Sequence, residues 1–142
     1  MCIRDRDKIN SNQIAIIDDS GHQMTYGDIC TFVKKLETVQ LERSVLFCLC
    51  ENTASALAGI IAFESLGVVP LLVSASIEKE LLTNLNSIYA PSYYWTPESC
   101  DIQPKGVTIF SENGYKLIRT GNKPLSLIHI FFRICRMCAA GV

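Results

Sequence analysis

Two stretches leave this chain little freedom of fold. RSVLFCLC (Arg43–Cys50) is an almost unbroken apolar run, and VVPLLV (Val68–Val73) is a second. A strand with one face in water alternates apolar and polar residues. A strand covered on both faces does not, and runs of this kind mark parallel sheets flanked by helices. Between the two lies ASALAGIIAFESLG (Ala54–Gly67), rich in small residues and apolar most of the way round. That pattern predicts a largely buried helix. Asn52 or Thr53 is placed to cap its start, and Gly67 to end it in the left-handed conformation. VVPLLV is expected to be a second buried strand. Its Pro70 lacks an amide proton, which puts it at a strand end or a sheet edge.

The flanking segments extend this unit. QIAIID (Gln13–Asp18) and QMTY (Gln23–Tyr26) bracket the acidic, Gly-containing DDSGHQ and read as a hairpin. Thr25 with Asp28 three residues on predicts a helix starting at Tyr26: a hydroxyl accepts from the exposed first-turn amides, and a carboxylate suits the positive helix end. Ile29, Phe32, Val33, Leu36 and Val39 then recur at helical spacing. SASIEKELLTNLNSIY (Ser74–Tyr89) predicts a third helix, capped by Ser76, with Glu78 and Glu80 in its first turn. Leu81, Leu82, Leu85 and Ile88 form its apolar stripe. APSYYWTPE (Ala90–Glu98) is a short aromatic strand ended by Pro97. VTIF (Val107–Phe110) and YKLIRT (Tyr115–Thr120) make a hairpin turned at Asn113-Gly114. The expected architecture is α/β: a partial doubly wound sheet with parallel central strands, flanking helices and a hairpin at each end.

The two ends of the chain belong together in an unexpected way. LSLIHI, from Leu125, is encoded by CTG TCT CTT ATA CAC ATC. MCIRDR (Met1–Arg6) is encoded by ATG TGT ATA AGA GAC AG and a purine. The second string is the reverse complement of the first, less its last base. One short oligonucleotide thus accounts for both ends, and it is the transposase recognition end ligated to fragments in sequencing libraries. Residues 1–6 and 125–142 are therefore expected to be translated adapter, to be set aside before fold reasoning. Residues 7–124 are expected to be an interior piece of a longer natural chain.

The whole sequence carries 13 basic and 14 acidic residues. Without Arg4, Asp5, Arg6, Arg133 and Arg136 of the two ends, nine basic and thirteen acidic residues remain. This acidic balance without a basic stripe argues against nucleic acid as a partner. No apolar run in 7–124 is long enough for a transmembrane helix. Cys30, Cys48, Cys50 and Cys100 are expected to be free or buried thiols, in the cytoplasm, rather than disulfides. The Cys135–Cys138 pair has redox spacing but belongs to the adapter.

Chemistry is sparse. The strand-to-helix junctions read CENTAS, VSASIE and TPESCD. None has the glycine pattern that lets backbone amides approach a phosphate, so helix capping is the plain reading of each. His22 sits in a turn, with no cysteine or carboxylate expected to orient it, and reads as a surface residue. Cys48 and Cys50 are two apart on a strand and point the same way, which suits neither zinc nor C-x-x-C redox chemistry. Asp18-Asp19 reads as a solvated turn, and Tyr93, Tyr94 and Trp95 as core. No residue is assigned a catalytic, cofactor-binding or metal-ligating role.

Several of these segments together resemble a known family. IAIIDDSGHQMTYGDI is similar to the D-x-x-G, T-Y-x-E-L opening of the adenylate-forming ligases, with Thr25, Tyr26 and Asp28 in the T-Y-x-[ED] places. SVLFCLCENTASALAGIIAFESLGVVPLLV resembles the next block of that family, with Asn52, Leu66, Gly67 and Pro70 in the matching places. The resemblance spans residues 13–98 and extends toward 120. It implies that residues 7–124 are a partial N-terminal AMP-binding domain. The parent enzyme would use ATP and Mg to convert a carboxylic acid to an acyl-adenylate, then pass the acyl group to CoA or a carrier thiol. The Ser/Thr/Gly-rich phosphate loop, the nucleotide-binding aspartate and the C-terminal lysine of the family have no matching positions here. The piece itself is expected to be inactive, and to have as its partner the remainder of its own ligase domain. The alternatives are a small flavodoxin-like binding or signalling domain and a non-catalytic subdomain of another α/β enzyme.

Overall fold

The computed structural model describes residues 10–102 and 104–124. The ends read as adapter, 1–6 and 125–142, lie outside the described residues. The elements are β1 (Ile14–Ile17), β2 (Gln23–Thr25), α1 (Tyr26–Glu37), β3 (Val45–Cys50), α2 (Ala54–Ser65), β4 (Val69–Ser74), α3 (Lys79–Tyr89), β5 (Tyr93–Pro97), β6 (Val107–Glu112) and β7 (Tyr115–Arg119). β1 and β2 pair as a separate antiparallel hairpin. The other five strands form one sheet in the order β4-β3-β5-β7-β6. β3 runs parallel to both neighbours, with Leu46 opposite Pro70 on one side and Tyr93 on the other. β7 is antiparallel to β5 and to β6.

Local chemistry places most boundaries. The Thr25 hydroxyl accepts from the Asp28 amide at 3.2 Å, and the Asp28 carboxylate accepts from the Thr25 amide at 2.8 Å. This closed capping box starts α1 at Tyr26. At α2 the cap is Thr53, whose hydroxyl accepts from the Ala56 amide at 3.2 Å, and Gly67 follows the helix at φ +76°. Asn113 and Gly114 both have positive φ, 54° and 75°. Two consecutive left-handed residues make the turn whose twist matches a two-residue hairpin.

Helices cover both faces of the sheet. Alternation along β3 sends Leu46 and Cys48 to a core with Phe32 and Leu36 of α1 and Ala58, Ala62 and Phe63 of α2. Val45, Phe47 and Leu49 go to the opposite core with Leu82, Leu85 and Tyr89 of α3. Trp95 of β5 is fully buried on the first face, 5.5 Å from Phe63 and stacked on Tyr115 at 5.2 Å between ring centroids.

Three expectations are corrected. Ser76 does not cap the third helix. Its amide donates to the Ser74 hydroxyl at 3.2 Å within a turn, and α3 starts at Lys79 behind Glu78, which makes no side-chain cap. The apolar stripe shifts accordingly. Leu82, Leu85 and Tyr89 face the sheet, while Leu81 is 51% exposed. VVPLLV is not buried on both faces. β4 ends the sheet, as Pro70 allows, and Leu72 is 60% exposed. The all-round apolar α2 is buried on its small side, through Ala54, Ser55, Ala58, Gly59 and Ala62. Of its large residues Phe63 is fully buried, while Leu57 and Ile61 stay 45% and 37% exposed. Gly59 explains the inversion: a Cβ there would overlap the Trp95 indole, so only a glycine-and-alanine face lets the helix approach this strand.

Candidate functional site

In a doubly wound sheet, ligands bind beyond the carboxyl ends of the parallel strands, where neighbouring strands send their chains to opposite faces. Here β3 leads to α2 on one face and β4 to α3 on the other. The loops after β3, β4 and β5 meet at that point. They border an open groove of about 550 Å3 lined by Cys50, Glu51, Asn52, Ser74, Ser76 and Asp101, among others. A second, of about 360 Å3, lies between the Asp18–His22 turn, the start of α2 and the Asn113-Gly114 turn. The three junctions that the sequence shows separately are thus brought together by the topology.

The hairpin turn is tied to α2 by one carboxylate. Asp18 accepts from the Ala54 amide at 3.1 Å, from the His22 amide at 2.9 Å, and from the Ser20 hydroxyl and amide at 2.6 and 3.0 Å. These donors, the Ser20 hydroxyl first and the Ala54 amide next, hold its pKa down at about 2. His22 is exposed, and its Nδ1 lies 3.9 Å from Asp18. A carboxylate does stand beside this histidine, contrary to expectation, because the turn folds four residues back on itself.

Tyr115 closes the other side. Its hydroxyl oxygen accepts from the Glu51 amide at 3.2 Å and from the Thr53 hydroxyl at 3.3 Å. Burial is the first cause of its raised pKa. Cys48 and Cys50 point to the same face, as their spacing requires. The Cys50 thiol donates to the Cys48 carbonyl oxygen at 3.4 Å, and hydrogen bonding to Cys50 together with burial raises the pKa of Cys48. Cys30, Cys48 and Cys50 form no disulfide, and the Cys100 thiol donates to the Ala75 carbonyl oxygen at 3.6 Å. Tyr93, Tyr94 and Trp95 are buried in the sheet. The sequence contained the signal for the Asp18 tie only as an acidic turn; nothing local shows that its acceptor faces the start of a helix 36 residues away.

The chemistry of this rim is that of acceptors. Asp18, Glu51 and Asp101 line it, and among the described residues no lysine or arginine does. The amides of Ala54 and Ala56, which an anion would use at the start of α2, already donate to Asp18 and Thr53. The described residues therefore do not fit a triphosphate. Among them no group of three or more His, Cys, Asp or Glu side chains is placed to hold a metal ion. No helix among them is long and apolar enough to cross a membrane.

This is an α/β protein with a mixed five-stranded sheet. No family model matches the chain, and no curated protein matches it. Seven solved chains do. One, described as "Crystal structure of IdnL1", aligns at a TM-score of 0.53 and 18% identity over 80% of this chain. At that identity the likeness shows the fold alone. The chain spans 25% of the length of that structure.

Proposed function

We propose that residues 7–124 are the N-terminal part of an AMP-forming ligase. The parent enzyme activates a carboxylic acid with ATP to an acyl-adenylate and pyrophosphate, and transfers the acyl group to a thiol. What supports this reading is the order and spacing of Thr25, Tyr26 and Asp28, then Asn52, then Leu66, Gly67 and Pro70, along one strand–helix–strand unit. Four of these residues serve backbone needs in the fold. Thr25 and Asp28 close the capping box, Gly67 takes positive φ after α2, and Pro70 lies in the edge strand. They are scaffold residues, not reacting groups. Stabilising negative charge on a transferring phosphate group requires donors and cations aimed at it. Among the described residues no lysine or arginine lines the carboxyl rim, so this reading assigns that work to the parent sequence beyond Pro124.

The test has two stages. Genomic sequence reading through Asp7 and Pro124 should replace both ends with unrelated codons, and should reveal a Ser/Thr/Gly-rich loop within about ten to twenty residues of Pro124. A stop codon there favours the small binding-domain alternative. Carboxylate-dependent exchange of labelled pyrophosphate into ATP should then be absent from the 142-residue chain and present in the extended protein. Exchange by the short chain, or none by the extended one over a panel of short and long acids, defeats the reading.

A further inference from the structure

We draw no further inference here: the strongest candidate, the apolar groove between β4, the β1–β2 hairpin and the start of α2, lined by Ile17, Leu57, Ile60 and Leu72 among others, carries nothing because nothing in the structure shows what covers it.

Discussion

On one face of the sheet α2 meets β5 through its smallest side chains, with Phe32 and Leu36 of α1 and Phe63 of α2 packed around the contact. Gly59 and its alanine neighbours on α2 lie close to Trp95, which also meets Phe32 at 5.9 Å, Phe63 and Tyr115. On the other face the roles are more even. α3 contributes the buried Leu82 and the half-buried Leu85 and Tyr89 against Phe47, Tyr94 and Ile118. The first face is a backbone-to-ring contact with no slack; the second is a single eleven-residue helix resting on aliphatic and aromatic rows. A close-packed site cannot collapse around a lost side chain, whereas a lone helix can shift or open. The two faces should therefore answer mutation differently.

The largest effect should come from Trp95→Ala. Removing a buried tryptophan costs about 3–5 kcal/mol, read as a fall in the denaturant midpoint for the whole chain. Trp95→Phe should cost clearly less, because it also removes an indole N–H that is buried with no hydrogen-bond partner. Leu82→Ala should cost about 2–3 kcal/mol and should raise amide exchange in α3 before it does so in α1 or α2. Equal losses for Trp95→Ala and Leu82→Ala, with uniform exchange, would erase the contrast between the faces.

Next come the helix starts, where the two faces differ again. Thr25→Ala removes one half of the α1 capping box and should cost about 1 kcal/mol. On the α3 side Ser76→Ala should have less effect, since Ser76 only pairs with the Ser74 hydroxyl at 2.8 Å. Chemical denaturation of the two variants in parallel ranks them. A larger loss at Ser76 would mean that α3 is capped as its sequence alone suggests.

The smallest effect is confined to acid. The Asp18 pKa is lowered on folding from the ordinary 3.8 to about 2. A carboxylate with a depressed folded pKa contributes stability that is fully present above its unfolded pKa and is lost as pH falls through the folded one. The tie between the β1–β2 turn and α2 should therefore hold above about pH 4 and weaken toward pH 2. Asp28, also lowered, through its bonds to Thr25, adds a slope of the same sign. Asp18→Asn should flatten part of the fall in stability between those pH values, and an unchanged profile would show that the carboxylate does not bear on the hairpin.

Pattern and capping make most elements legible in the amino-acid sequence. The Thr25–Asp28 pair, Thr53, Gly67 and the Asn113-Gly114 step act within a few residues of themselves, so the sequence carries their whole cause. Buried alternation along β3 is of the same kind. The candidate site is less legible, because CENTAS, VSASIE and TPESCD are far apart along the chain and meet only when β3, β4 and β5 align in parallel. Which strand lies at the edge, which face of α2 turns inward, and what the Asp18 carboxylate accepts from are decided by tertiary structure. An apolar run reads the same whether one neighbour covers it or two. A helix apolar all round has no sequence-marked inside until Trp95 admits only its glycine face. An acidic turn has no designated donor until the fold brings the amide of Ala54 within 3.1 Å.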